Sequence, residues 1–163
     1  KHTEKGLVMA AQFATEAGDG PMDNALWRYA LRVYSRSGVE ALLLQMQDEH
    51  GADILQLLTV LWLSEQGLEV DEESLSDKDY VSWKQEMIEP LRQRRRQADR
   101  LEHGDLYELL KKAELEAERY GLGILWARSK DNPADKGRCV VSDLMLVCNS
   151  EKECRALVDL AQG

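Results

Sequence analysis

The chain has 163 residues, of which 44% are hydrophobic and 31% are charged, and its formal net charge is -9 at pH 7. This length suits one domain with a core of its own. The acidic balance argues against nucleic-acid binding over the whole surface, because such binding depends on summed positive charge. The longest apolar run, residues 54–63, is about half as long as a membrane-crossing helix, so we expect no membrane association.

The first 22 residues differ in character from the rest of the chain. A brief apolar segment, residues 7–11, ends at Gln12, and Gly18, Gly20 and Pro21 follow it. As a secretory signal this segment is weak. We therefore expect residues 1–22 to be a disordered or artificially added extension, and residues 23–163 to form a single helical domain.

Three helices are predicted between Asn24 and Gly67, because apolar residues recur there with helical period. The first has an apolar face with Trp27, and the second ends at His50 and Gly51. Asp53 caps the third, ILQLLTVLWLSEQ, which is apolar on nearly all sides and therefore belongs at the centre of a bundle. The side chains predicted to be nearly inaccessible there are Leu58, Leu61 and Trp62.

A fourth helix is predicted from Ser76 to His103, and it contains the arginine-rich segment PLRQRRRQADR at 90–100. Pro90 lies within its apolar stripe, which predicts a kink or a break. On a straight helix Arg94 falls within the stripe and Arg95 at its edge. The remaining arginines, Arg92, Arg96 and Arg100, form one row on the opposite side.

The sorting of these arginines leads to two separate expectations. The outer row is either a solvated face or a ridge that meets phosphates or an acidic partner. Arg94 cannot lose its charge, so its burial requires a carboxylate from another helix or a groove that binds an anion. We predict that Arg94 is substantially more buried than Arg92, Arg96 and Arg100, and that its guanidinium meets a carboxylate from another helix.

Asp105 is predicted to cap a fifth helix. Its predicted buried stripe consists of Leu106, Leu109, Leu110, Ala113, Ala117, Tyr120 and Ile124. Its predicted outer row is Glu108, Lys112, Glu116 and Arg119, which are spaced for ion pairs three or four residues apart. The spacing of Glu114 and Glu118 would suit a metal, but without a histidine or an opposed second pair we expect them on the solvated side.

The C-terminal third is predicted to be a loop at 129–138, a short element at 139–148 and a final helix capped by Ser150. The valines of the short element favour a strand, but no second strand is predicted to pair with it, so we expect a helix. The sequence therefore predicts an all-α fold, a compact bundle of about six to seven helices around a buried central helix at 54–66.

Signatures of catalysis are missing from the sequence. We find no metal-ligand spacing, no nucleophile elbow and no phosphate-binding loop, so we expect no cofactor and no metal site, and the sequence identifies no catalytic residue. His50 and His103 each precede a glycine, where interaction with a helix end is favoured over catalytic use. The three cysteines are odd in number and lack a C-x-x-C pair, which favours a reducing cytoplasm.

Three segments together resemble a known family. They are LWRYALRVYSRSGVEALLLQMQDEHGADILQLLTVLWL at 26–63, WKQEMIEPLRQRRR at 83–96 and LYELLKKAELEAER at 106–119. They are similar to small, all-helical, cytoplasmic proteins from gammaproteobacteria that share a conserved domain of unknown function. The resemblance implies a helical fold and a bacterial host, and it implies no reaction.

These observations leave three hypotheses for function. The first is a non-enzymatic interaction module for an unknown protein partner. The second is an RNA-binding protein, or one that hydrolyses RNA without a metal, in which an arginine-rich helix holds the phosphates and nearby groups transfer protons. The third is a ligand pocket between helices. The candidate residues for contact or binding are Lys84, Arg92, Arg94, Arg95, Arg96, Arg100, His103 and Tyr107, and the oligomeric state is left open.

Overall fold

The computed structural model describes residue 20 and residues 22–162, and within them the predicted all-α fold is confirmed. The predicted N-terminal extension lies almost entirely outside these residues. None of the described helices is both long and apolar enough to cross a membrane. The helices are α1 (Ala25–Tyr34), α2 (Val39–His50), α3 (Ile54–Glu65), α4 (Glu72–Leu75), α5 (Lys78–Trp83), α6 (Glu89–Arg100), α7 (Gly104–Ser129), α8 (Val140–Leu144) and α9 (Glu151–Gln162).

Helix α3 is the buried centre of the bundle, as predicted. Asp53 starts it, because its Oδ1 accepts hydrogen bonds from the backbone N–H groups of Leu55 and Gln56 at 2.9 and 3.3 Å. All of its residues from Leu57 to Leu63 are buried. Leu58 is fully inaccessible, and Leu61 and Trp62 are 3% and 4% exposed.

The C-terminal segment completes the bundle. Residues 139–148 contain the short helix α8 rather than a strand, so the helical alternative is confirmed. Val141 and Leu144 are buried there. Ser150 lies just before α9, and its Oγ accepts from the backbone N–H of Glu153 at 3.4 Å. The apolar face of α9 then closes on the bundle with Cys154, Leu157 and Ala161 buried.

A π-helical turn, Lys84–Ile88, joins α5 to α6, so the chain does not break at Pro90. The backbone N–H of Glu89 donates to the carbonyl oxygen of Lys84, five residues earlier. Proline lacks an N–H, and its ring crowds the carbonyl four residues before it. The wider turn relieves this crowding by adding one residue. Each residue after the π-helical turn is therefore rotated back about the helix axis by about 100°, compared with its position on an uninterrupted α-helix.

Helices α6 and α7 form an antiparallel hairpin. The predicted buried stripe of α7 is largely wrong, because Leu106, Leu109 and Tyr120 are 48%, 65% and 40% exposed. The helix instead buries the face that contains Glu114 and Glu118, which were expected in solvent. The physical reason is that re-phasing of α6 turns two arginines towards this face.

The corner of the hairpin contains the one positive φ angle outside glycine among the described residues, 59° at Glu102. The predicted stop at His103 and Gly104 is displaced, because Gly104 is already the first residue of α7. The backbone N–H of His103 donates to the carbonyl of Ala98 at 3.0 Å, which closes α6 in the manner of a Schellman motif. Glu102 therefore has the left-handed backbone geometry that favours glycine.

We expect Glu102→Gly to stabilise the protein by about 0.5–1 kcal/mol, because glycine adopts the left-handed region without steric cost. Urea unfolding followed by circular dichroism measures the change. The matched control is Gly51→Ala, which places a side chain at φ 66° and should destabilise by about 1 kcal/mol. A loss of stability in Glu102→Gly would contradict the prediction.

Candidate functional site

The structure buries a different arginine from the one predicted. Arg95 is 4% exposed, whereas Arg94 lies on the exposed surface. The prediction assumed a straight helix, and the extra residue of the π-helical turn gives Arg95 the angular position that Arg94 would otherwise have had. The prediction that a buried guanidinium meets a carboxylate from another helix applies to Arg95 instead.

Arg92 also departs from its predicted place in a solvated row. Its Nε donates to Glu114 Oε2 at 2.9 Å, and its Nη2 donates to Glu118 Oε2 at 3.2 Å. Arg95 Nε donates to the other oxygen of Glu114. We call Arg92, Arg95, Glu114 and Glu118 the buried ion network. It joins α6 to α7 along the hairpin.

A polar cleft of about 330 Å³ opens next to this network. Its residues come from the corner between α2 and α3, from α5, from the π-helical turn, and from α6 and α7. Lys84 Nζ lies 3.1 Å from Asp53 Oδ2, and the hydroxyl of Tyr80 donates to the same oxygen at 2.7 Å. The cleft is lined by Gln47, Asp48, Gly51, Ala52, Asp53, Ile54, Leu55, Tyr80, Lys84, Ile88, Glu89, Arg92, Arg96 and Glu118.

Two acidic groups of the cleft have raised pKa values. Burial raises the pKa of Glu118 to about 8, and the charge of Glu114 adds to this rise against the opposing effect of Arg92. Burial and the neighbouring Asp53 carboxylate raise the pKa of Tyr80 well above its usual value. Glu118 Oε1 has no hydrogen-bond partner among the described residues. The cleft is therefore bordered by a buried carboxyl group whose pKa is raised.

The sequence candidates fall into separate places in the fold. Lys84, Arg92 and Arg96 meet at the polar cleft. Three others lie around a second cavity of about 620 Å³ at the hairpin corner; they are Arg100, His103 and Tyr107. The row of Arg92, Arg96 and Arg100 is therefore divided between these two cavities.

Sequence reasoning missed three members of the cleft. Asp53 was identified only as a helix cap, Tyr80 was not identified as a site residue, and Glu118 was placed in solvent. A signal for Glu118 was present, since Glu114 and Glu118 lie four residues apart and share one helix face. The partner cations come from a separate helix, and their orientation depends on the π-helical turn.

Helix α7 also carries an exposed apolar strip along its outer edge. Its residues are spaced alternately by four and three positions, the pattern of a coiled-coil seam. The fold buries Ala117, half-buries Leu110 and Ile124, and leaves the others exposed. We call this set the α7 strip: Leu106, Leu110, Ala113, Ala117, Tyr120, Ile124 and Ala127.

An open groove of about 430 Å³ continues the α7 strip towards α5. The rings of Trp83 and Tyr120 meet there with centroids 4.5 Å apart. Trp83 is fixed in place because its Nε1 donates to the carbonyl oxygen of Ala117 at 2.8 Å. The exposed residues of the α7 strip and the groove together form an apolar surface beside Trp83.

One group within the described part of the chain has the composition of a metal site. Ligand atoms of Glu49, His50 and Glu153 lie within 4.8 Å of one another. Two of the three groups are in direct contact, since His50 Nε2 lies 2.6 Å from Glu153 Oε1. The pair joins the end of α2 to the start of α9, where the helix dipoles favour a cation and an anion respectively. This contact supports a structural role for the pair, which is to hold α2 and α9 together.

A family model described as protein of unknown function (DUF2390) matches residues 25–125. The match extends from α1 through most of α7 and includes every residue that lines the polar cleft. No curated protein and no solved structure matches the chain. Because the model covers more than half of the chain, the chain belongs to this family.

Proposed function

We propose that this member of the DUF2390 family is a non-enzymatic interaction module, and that the α7 strip is its contact surface. The observation that supports the proposal is the exposure of a periodic apolar seam. Leu106 and Tyr120 of the strip are 48% and 40% exposed, and Leu109, which lies beside the strip on α7, is 65% exposed. Large exposed apolar residues that form a continuous row are typical of a surface that a partner covers.

The partner that fits this surface is a second copy of the chain. When two α7 helices pack antiparallel about a two-fold axis near Ala113, Tyr120 of one copy lies opposite Leu106 of the other. Ala113 of one copy lies opposite Ala113 of the other, and this small side chain allows the two backbones to approach closely. The apolar strip of one copy is therefore complementary to the same strip of the second copy.

Charges beside the strip support the same arrangement. Lys112 and Glu116 are both exposed on α7, and they lie one turn apart on the same side of the strip. Antiparallel pairing brings Lys112 of each copy near Glu116 of the other, so that both contacts join opposite charges. A parallel pairing would instead place like charges opposite each other.

We expect the wild-type protein to sediment as a dimer and Leu109→Asp to sediment as a folded monomer. Lys112→Glu should weaken the dimer about tenfold, since two attractive contacts become repulsive. Adding Glu116→Lys to that variant should restore the affinity to within about twofold, because the charges are then exchanged rather than lost. Analytical ultracentrifugation over a range of protein concentrations measures each dissociation constant.

The matched control is Lys136→Glu, which makes the same charge change at an exposed loop residue outside α7. It should leave the dimer unchanged. A wild-type protein that stays monomeric at all concentrations would contradict self-association. Failure of the charge exchange to restore the dimer would contradict the antiparallel geometry.

The alternative is an RNA-binding or RNA-hydrolysing protein that uses the arginines of α6. Arg92 and Arg95 are held by Glu114 and Glu118, so the support for a basic ridge is reduced. Under this alternative, single-stranded RNA should bind with an affinity that falls steeply with salt. We propose self-association in preference, because the described arginines point to several sides of the hairpin.

We further propose a reducing, cytoplasmic setting in a gammaproteobacterium. The cysteines Cys139, Cys148 and Cys154 are all free thiols, which supports a compartment where disulfides do not form. The bacterial host rests on the resemblance of the sequence to its family. Fractionation of the host cell and detection of the protein in each fraction tests the location.

A further inference from the structure

We propose that Glu49, His50 and Glu153 bind a zinc ion between the end of α2 and the start of α9. None of these residues belongs to the α7 strip, so the site goes beyond self-association. Their ligand atoms lie within 4.8 Å of one another. Spacing in the sequence does not indicate the site, because Glu153 is distant in the chain from the other two residues.

The donor atoms of this group suit zinc. Imidazole nitrogen and carboxylate oxygen are common zinc ligands, and a water molecule supplies the fourth ligand of a tetrahedral site. Magnesium and calcium prefer oxygen ligands alone, whereas imidazole suits zinc and its neighbours among the transition metals. His50 is therefore the residue that favours zinc over these two ions.

Glu153 provides an independent indication of a cation. It is only 6% exposed, and its Oε1 is buried without a hydrogen-bond partner among the described residues. His50 Nε2 lies 2.6 Å from this oxygen, yet the contact is not a hydrogen bond. Buried polar atoms are nearly always bonded. Two donor atoms that lie so close without a hydrogen bond between them have the arrangement of neighbouring ligands of one ion.

The ion has a route to Glu153 from the solvent. Glu49 and His50 are both exposed, and the side chain of His50 is 30% exposed. Zinc in a tetrahedral site holds its nitrogen and oxygen ligands about 3.3 Å apart. The ring of His50 therefore moves away from Glu153 by less than about 1 Å when zinc enters between them. Rotation of this exposed side chain provides the movement, while Glu153 stays in place.

The charge of the group favours a divalent cation. Neither Glu49 nor Glu153 forms an ion pair with a lysine or arginine among the described residues. A protonated His50 supplies one positive charge for two carboxylates, whereas zinc with a neutral imidazole supplies two. A buried carboxylate without a full counter-charge is costly. The end of α2 also favours a cation through its helix dipole.

Gln45 orients both carboxylates. Its side-chain nitrogen donates to Glu49 Oε1 at 3.5 Å and to Glu153 Oε2 at 2.5 Å. Each carboxylate therefore keeps its second oxygen for a metal. Hydrogen bonds of this kind hold ligands in place around metal sites, and their loss typically weakens metal binding about tenfold or more. Gln45 is thus a positioning residue of the proposed site.

Isothermal titration calorimetry of the full chain with zinc chloride tests the proposal. We expect one saturable equivalent in the wild type and none in His50→Gln. Glu49→Gln should weaken zinc about tenfold or more, because a carboxylate ligand becomes an amide. Glu49 is exposed, so the urea midpoint of Glu49→Gln without zinc should equal that of the wild type. Zinc should raise the thermal unfolding midpoint of the wild type more than that of Glu49→Gln.

Three matched controls separate this site from other zinc ligands. Glu151→Gln changes an exposed glutamate in the first turn of α9, His103→Gln changes an exposed histidine that also precedes a glycine, and Cys139→Ser removes the exposed thiol. Each should bind zinc within about twofold of the wild type.

Absence of saturable zinc binding, or equal zinc affinity of Glu49→Gln and the wild type, would overturn the site. Loss of binding in Cys139→Ser or His103→Gln would place the zinc elsewhere and would also overturn it. Tighter binding of magnesium or calcium than of zinc would overturn the choice of metal.

Discussion

Replacement of Arg95 by alanine should lower the free energy of unfolding by about 3–5 kcal/mol, because it leaves a buried carboxylate with too few donors. Arg95 and Glu114 are only 4% and 5% exposed. Glu114 keeps its contact with Arg92 at 2.9 Å, so we expect a value near the lower end of this range. Chemical unfolding followed by circular dichroism measures the loss.

The control for this prediction is the neighbouring arginine. Arg94→Ala changes the same residue type on the exposed side of α6 and should alter stability by no more than about 0.5 kcal/mol. Arg95→Met combined with Glu114→Gln should lose less than Arg95→Ala alone, because it preserves side-chain volume and removes the stranded charge. A larger effect at Arg94 than at Arg95 would contradict the re-phasing of α6 by the π-helical turn.

The second large effect is expected in the core. Leu58 is fully inaccessible at the centre of α3. Leu58→Ala should destabilise the protein by about 2–5 kcal/mol, because it removes buried methyl groups and leaves a cavity among closely packed neighbours. The change should appear in the denaturation midpoint, while the dependence of stability on urea stays the same.

The matched control for the core variant is Leu101→Ala. Leu101 is 61% exposed at the end of α6, so the same chemical change should cost less than about 0.5 kcal/mol. A loss well under about 1 kcal/mol in Leu58→Ala would show that α3 is not the packed centre of the bundle.

Local features of the sequence were sufficient to predict the fold class and most of the helices. Asp53 and Ser150 act as caps, and Gly51 ends α2 in the left-handed conformation, because each effect involves groups within one turn of the residue. The uniform apolar character of α3 required burial on every side. These predictions needed no knowledge of neighbouring helices.

The faces of α6 and α7 required the tertiary structure. A straight helix and a helix with a π turn before Pro90 both satisfy the local pattern, and they bury different arginines. On α7, apolar residues lie on more than one side, so periodicity alone favoured Leu106 and Leu109 over the face with Glu114 and Glu118. Packing of α6 against α7 selects the face in which both carboxylates meet guanidinium groups.

By itself, the sequence determined an all-α bundle around α3, since helix periodicity, caps and a wholly apolar segment act over a few residues. The tertiary structure decided which charges are buried and which apolar residues remain exposed. It also formed the polar cleft, whose lining residues extend from Gln47 to Glu118 in the chain. The reason is that a charged side chain is stable in the interior only where a distant helix provides its counterion.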